Sequence, residues 1–107
     1  MNYVESQLIH KLKSDHVGVK NAISGEDLAD FLDLGTARLV RSLVEGLRSD
    51  HVPILSLSGL GYWWTDGNLE DENHCVKQLR DMGRKFFRDA EYVEKGLLEL
   101  VGDPKMF

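Results

Sequence analysis

Apolar residues recur every three or four positions near the start of the chain, which predicts an amphipathic helix over residues 3–13. Its buried face is expected to consist of Val4, Leu8, Ile9 and Leu12. Ser14, Asp15 and Gly18 interrupt the pattern and end this helix. Residues 21–23 predict a short extended segment, which we interpret as the first strand of a small sheet.

A second, shorter helix is predicted to begin after Ser24, whose hydroxyl can accept a hydrogen bond from an otherwise unpaired N–H group of the first turn. The positions expected to be buried on this helix are Leu28, Phe31 and Leu32. The helix is expected to end at residues 33–35, because Gly35 can adopt the positive φ that turns the chain. Leu34 is expected to point inward between this helix and the next.

A third helix is predicted to begin at Thr36, which is expected to be its N-cap. Its apolar stripe consists of Leu39, Val40, Leu43, Val44 and Leu47, and the opposite side carries Ala37, Arg38, Arg41, Ser42, Glu45 and Arg48. Gly46 weakens a helix by about 1 kcal/mol relative to alanine. We interpret its small size as room for the close approach of another backbone.

Two short apolar segments, residues 54–56 and 62–64, predict a β-hairpin across a loop that contains glycine. Pro53 fits the start of an edge strand, where a missing N–H costs little. Trp63 and Trp64 are expected on opposite faces of their strand. We expect one ring in the core and the other over the cleft between helix and hairpin or over the C-terminal helix.

Residues 69–101 predict a long helix with a heptad seam. One set of seam positions is Leu69, Val76, Gly83, Ala90 and Leu97, and the other is Leu79, Phe86, Val93 and Leu100. Such a narrow seam can fold back on the preceding module, with a kink near Gly83, or pair with a second copy of the chain. We favour pairing.

These elements predict a mainly α fold with a small β-hairpin. A helix, a tight turn containing glycine, a second helix and a hairpin are typical of a winged helix-turn-helix, with a three-helix core and the hairpin as wing. We therefore expect a winged helix-turn-helix domain at residues 1–67 and a C-terminal helical extension at residues 68–107. The extension is expected to mediate homodimerisation.

A helix-turn-helix predicts binding to double-stranded DNA, with the third helix in the major groove. Arg38 and Arg41 are expected on its exposed side, one turn apart, where each can bind guanine or phosphate. The candidate DNA-binding residues are Thr36, Ala37, Arg38, Arg41, Ser42, Arg48 and Ser58. Among these, Arg48 is expected to hold the DNA backbone and Ser58 to bind a phosphate from the wing.

The net charge of −5 restricts this interpretation, because DNA binding requires a locally basic surface. Residues 1–67 contain six Lys or Arg against nine Asp or Glu, and residues 68–107 contain seven against nine. Any DNA-binding face must therefore be a local patch. The wing at residues 57–61 has no basic residue, so the alternative is a winged helix that binds protein, such as an adaptor in a replication or excision assembly.

Several residues in this region resemble a known family. They are Leu34 with Gly35, Arg38 and Arg41, Leu47 with Arg48, Val52 to Ile54 around Pro53, and Gly61 with Tyr62 and Trp63. Together they are similar to the winged helix-turn-helix domains of the DeoR/BirA-like type. The segment VKQLRDMGRK resembles the trailing helix of small phage- and prophage-encoded members. The resemblance implies a three-helix core, a hairpin wing and a DNA-binding role, which we interpret as a sequence-specific transcriptional regulator.

Other classes of function find little support in the sequence. The four histidines are scattered, and His74 beside Cys75 diverges too far on a helix to chelate a metal. No catalytic set has supporting context, so we expect neither enzyme activity nor a cofactor. No apolar run approaches the roughly 20 residues of a membrane span. No leader opens the chain, and we expect a cytoplasmic protein.

Overall fold

The computed structural model describes residues 2–101, except for the side chains of Phe86, Leu100 and Val101. Its elements, in chain order, are α1 (Tyr3–Asp15), a 3-10 turn (Val19–Asn21), α2 (Gly25–Leu32), α3 (Ala37–Ser49), β1 (Leu55–Leu57), β2 (Gly61–Trp63) and α4 (Leu69–Val101). The fold is mainly helical, with an antiparallel two-stranded hairpin and a long C-terminal helix. This confirms the coarse fold predicted from the sequence.

The chain divides between Cys75 and Val76 into two compact units. The core of the first unit is built from one apolar stripe on each of three helices and from two residues that flank the hairpin. Its members are Leu8, Leu12, Ile23, Leu28, Ala29, Leu32, Val40, Val44, Leu47 and Ile54. The predicted buried face of α1 is confirmed, because Val4 and Ile9 pack against this core.

Side-chain capping fixes the start of α2, and backbone conformation fixes its end and the turn into α3. Ser24 caps α2 as expected, since its Oγ accepts a hydrogen bond from the Asp27 N–H at 3.1 Å. Asp33 ends α2 in the left-handed conformation, and the Leu34 N–H donates to the Ala29 carbonyl at 2.9 Å. Gly35 has the expected positive φ of 81°. The two positive φ values, at Asp33 and Gly35, turn the chain from α2 into α3 within three residues.

Two residues predicted to be buried are exposed, and these predictions are wrong. Phe31 is 50% exposed on α2, and Leu39 is 49% exposed on α3. On α2 the buried positions are Leu28, Ala29 and Leu32, and on α3 they are Val40, Val44 and Leu47, so Phe31 and Leu39 lie outside these stripes. The Lys11 ammonium instead lies 4.8 Å from the centre of the Phe31 ring.

The hairpin is shifted by one residue from its predicted strands. Leu55 pairs with Trp63, Ser56 with Tyr62 and Leu57 with Gly61. The segment expected as a first strand is reduced to a single bridge, in which Ile23 and Tyr62 exchange hydrogen bonds of 2.9 and 2.8 Å. Because a Cβ at Gly61 would overlap the Ile23 carbonyl, only glycine fits at that position.

The two tryptophans lie on opposite faces, as predicted. Trp63 is fully buried with Leu55 and Cys75. Trp64 is half-buried against the main core, and the Lys13 ammonium of α1 lies 4.8 Å from the centre of its ring. Trp64 therefore contacts the N-terminal helix rather than the cleft or the C-terminal helix that the sequence suggested.

The start of α4 is part of the first unit. Cys75 is buried beside the hairpin, and its Sγ accepts a hydrogen bond from the Ser56 N–H at 3.4 Å. The Thr65 hydroxyl also donates to a Glu72 carboxylate oxygen at 2.6 Å. These contacts extend the first unit eight residues beyond the boundary expected after Gly67.

The second unit contains the remainder of α4, which continues as an α-helix through Gly83. Apolar side chains exposed on it are Val76, Leu79, Met82, Phe87, Tyr92, Val93 and Leu97. The side chains of the seam positions Phe86 and Leu100, and residues 102–107 of the predicted extension, lie outside the described residues. Over the described part of the chain, no helix has the length and apolar character needed to span a bilayer.

Gly46 lies in the interior of α3, and a Cβ added there would meet no heavy atom within 4 Å. The close approach of another backbone, expected from the sequence, is therefore wrong for the described residues. We predict that Gly46→Ala raises the free energy of unfolding by about 1 kcal/mol, because alanine restricts the unfolded chain and favours the helix. Urea unfolding followed by tryptophan fluorescence measures the change.

The matched control is Gly61→Ala, where the added methyl group has no space and φ is 100°. This variant should unfold at lower urea, with a loss of more than about 1 kcal/mol. A destabilising effect of Gly46→Ala would contradict the structure, in which an added Cβ at Gly46 meets no other atom.

Candidate nucleic-acid interface

One face of α3 carries the charged residues predicted to contact DNA. Arg38, Arg41, Ser42 and Glu45 are separated by three, four and seven positions, so they share one side of the helix. All four are exposed. This side is opposite the buried Val40, Val44 and Leu47 stripe, which fixes the rotation of α3 in the first unit. We call these four exposed residues the α3 face.

The guanidinium groups of Arg38 and Arg41 have no hydrogen bond or ion pair among the residues that the structure describes. Three residues of α-helix separate the two side chains by about 4.5 Å along the axis. Both lie in the first half of α3. The two cations therefore project from neighbouring points and can be satisfied by water, by a partner or by a polyanion.

The N-terminus of α3 is positioned by packing on α2. Thr36 occupies the N-cap position with extended backbone, but its side chain makes no capping hydrogen bond, and it is exposed. Ala37 is half-buried, and a Cβ built on Gly25 would lie 3.2 Å from its methyl group. The Ala37 methyl group is thus directed at the start of α2, which fits a packing role better than contact with a thymine methyl.

Arg48 has a different environment from the other two arginines of α3. Its Nε and Nη2 donate to the Ile54 carbonyl at 2.9 and 2.7 Å, and Nη2 also donates to the Ser56 hydroxyl at 2.9 Å. These bonds are partly buried and join the end of α3 to β1. The sequence assigned Arg48 to the DNA backbone, but the structure gives its guanidinium group an internal partner, and we omit it from the interface.

The hairpin loop, residues 58–60, presents no charged side chain. Ser58 is exposed in this loop, together with Gly59 and Leu60, which is 51% exposed. The hydroxyl group of the neighbouring Ser56 accepts a hydrogen bond from Arg48 Nη2. Any contact from this loop must therefore come from the Ser58 hydroxyl and from backbone groups.

Two of the lysines that could contact flanking DNA have intramolecular partners. The Lys11 ammonium donates to Asp15 Oδ2 at 2.7 Å, and this bond holds the pKa of the Asp15 carboxyl below its ordinary value. Lys13 lies over the Trp64 ring. Lys20 is exposed at the 3-10 turn. Arg38, Arg41 and Lys20 are therefore the basic residues of the first unit that have no described partner.

Exposed acidic residues lie on the helix that precedes α3 and on α3 itself. Four exposed carboxylates, Glu26, Asp27, Asp30 and Asp33, lie on α2 or at its end. Glu45 also lies on the α3 face itself, four residues after Arg41. The sequence placed Glu45 on the exposed side but gave it no role, although its spacing from Arg38 and Arg41 was the signal. Its carboxylate opposes the approach of phosphate.

Comparison of the chain with protein-family models, with curated proteins and with solved structures gave no match. Among the described residues, no group of three or more His, Cys, Asp or Glu side chains has the geometry of a metal site. The features of the chain that bear on its function are the fold of the first unit and the exposed residues of α3.

We predict that Arg48→Ala lowers the free energy of unfolding by about 2 kcal/mol, because it leaves a partly buried carbonyl without its charged donor. Arg41→Ala is the matched control, since Arg41 lies on the same helix without a described partner. Its unfolding free energy should stay within about 0.5 kcal/mol of wild type. Equal effects of the two substitutions in urea would contradict the distinction between them.

Proposed function

We propose that the first unit is a winged helix-turn-helix module that binds double-stranded DNA without enzyme activity. In this proposal, α2 and α3 form the helix-turn-helix, α3 enters the major groove, and the hairpin is the wing. The observation that carries the proposal is the pair Arg38 and Arg41, which are exposed on one face in the first half of α3 with no described partner. A helix with outward guanidinium groups suits the donor and acceptor pattern of the major groove.

The support beneath α3 favours a defined docking geometry. Val40, Val44 and Leu47 anchor one side of the helix in the core, and Arg48 ties its end to the hairpin. A helix that is already anchored needs no further ordering of its backbone on binding. Arg38 and Arg41 then supply base or phosphate contacts, and Thr36, Ser42 and Ser58 supply hydroxyl groups for phosphates.

The class of DNA-binding protein that fits best is a dimeric, sequence-specific transcriptional regulator of phage or prokaryotic type. This part of the proposal depends on the resemblance to DeoR/BirA-like domains and on the heptad seam of α4. Two cations per copy give weak binding that salt readily reverses. A dimer offsets this weakness because the second α3 binds at high effective concentration.

The exposed acidic side of α2 favours a second candidate, a winged helix that binds protein. Glu26, Asp27, Asp30 and Asp33 offer a surface for a basic partner, and the uncharged hairpin loop fits a protein contact as well as a phosphate. An adaptor in a replication or excision assembly would use such a surface. Binding to duplex DNA distinguishes the two candidates.

We predict that wild-type protein binds mixed-sequence duplex DNA in a salt-dependent manner and that Arg38→Ala/Arg41→Ala loses at least about 30-fold in affinity. The slope of log affinity against log salt should fall by about 2 if both arginines contact phosphates. Fluorescence anisotropy of a labelled duplex, at low and moderate salt, measures both quantities.

The control is Lys77→Ala/Arg88→Ala, which removes the same charge from exposed positions of the second unit. It should bind DNA nearly as well as wild type. Equal losses for the two double variants would mean that total charge, and not the α3 face, governs binding. No salt-dependent binding by wild type would reject the DNA-binding proposal and leave the protein-binding candidate.

We predict that Glu45→Gln raises the affinity for duplex DNA about twofold to fivefold, because it removes a like charge from the proposed interface. Glu45 has no ion pair among the described residues, so its loss releases no arginine. Glu91→Gln, an equally charged change in the second unit, should leave the affinity unchanged. Identical affinities for all three proteins would place the α3 face away from the DNA.

A further inference from the structure

The second unit has apolar side chains for which its own described residues provide no cover. Of the seam positions, Val76, Leu79, Val93 and Leu97 are between 40% and 63% exposed. They lie at the a and d positions of the heptad, with Gly83 and Ala90 between them. A helix with such a narrow apolar seam buries it by pairing with another helix of the same period.

We propose that α4 pairs with α4 of a second copy of this chain and that the two helices run antiparallel. This inference deepens the dimer invoked in the proposed function, because it specifies the orientation of the partner. The register that we assign places Leu79 opposite the second copy's Leu97 and Gly83 opposite the second copy's Val93. A twofold axis then passes near position 88.

Side-chain size favours this register. The seam side chains are smallest at Gly83 and Ala90. A parallel pair would place each of these residues opposite the same residue of the second copy, which leaves two poorly filled layers in the middle of the interface. The antiparallel register places Gly83 against a valine, and Ala90 against position 86, which the sequence gives as phenylalanine. Small residues opposite large ones fill the layers evenly, as close packing requires.

Charge also favours the antiparallel pair. Arg80 and Glu94 occupy the same flanking heptad position and are exposed, and neither has an ion pair among the described residues. Antiparallel helices bring Arg80 of each copy beside Glu94 of the other, which gives two attractive pairs. On the other side of the seam, the Asp89 carboxylates of the two copies lie near each other, which gives one repulsive pair.

A parallel pair has the less favourable charges. It would bring Asp89 of each copy beside Glu94 of the other, which gives two repulsive pairs and no attractive one. Arg80 would face position 75, where the cysteine is buried in the first unit. The sizes of the seam side chains and the charges of the flanking side chains thus favour the same orientation. Neither depends on the proposed DNA-binding residues of α3.

Two single substitutions distinguish the orientations by disulfide cross-linking of the full chain without DNA. Phe87, which is 78% exposed, lies beside the second copy's Phe87 only in the antiparallel pair. We expect Phe87→Cys to give a covalent dimer as its main product under mild oxidation. Leu79→Cys meets its own copy only in a parallel pair and should give less than about a tenth of that product.

Two controls accompany these variants. Wild type measures the contribution of buried Cys75, and Lys95→Cys measures collision away from the seam. A predominant Leu79→Cys dimer would overturn the antiparallel orientation, and a wild-type monomer in sedimentation equilibrium would overturn pairing altogether. DNA binding by α3 is tested separately. A dimer that binds no duplex rejects DNA binding but leaves the pairing of α4, and a monomer that binds duplex rejects the pairing of α4 and the dimeric regulator but leaves DNA binding by α3.

Discussion

Burial of Val40, Val44 and Leu47 fixes the rotation of α3, and the direction of every other side chain on that helix follows from it. The three residues form a single stripe that packs with α1 and α2 in the main core. Arg38, Arg41, Ser42 and Glu45 must then face outward. The proposed function depends on this constraint, because the outward direction of Arg38 and Arg41 follows from the burial of the opposite stripe.

The arginines of α3 show how local packing divides one residue type between two roles. Arg48 lies beside the hairpin, where the Ile54 carbonyl and the Ser56 hydroxyl accept its hydrogen bonds, so its charge stabilises the fold. Arg41 and Arg38 lie about two and three turns earlier, where the described residues offer them no acceptor. Cations without an internal partner remain available to bind a ligand.

The sequence predicted the elements of the first unit well because their hydrophobic periods, the Ser24 cap and Gly35 are local signals. The sequence-based predictions failed where the burial or the contacts of a side chain depend on how the elements pack together. Phe31 and Leu39 have the correct helical spacing but lie outside the buried stripes of α2 and α3. The internal role of Arg48 depends on how the chain turns from α3 into the hairpin, and the burial of Cys75 depends on a hairpin about 20 residues earlier in the chain. The exposure of Arg38 and Arg41 followed directly from periodicity.

The central claim is that the outward face of α3 contacts duplex DNA, and amide chemical-shift mapping tests it residue by residue. On titration with duplex DNA, the account predicts shifts concentrated at residues 36–42 and at loop residues 58–60. Amides of the acidic α2 surface, residues 26–30, should change little. Shifts centred on α2 with an unperturbed α3, or no shifts at all, would contradict the account.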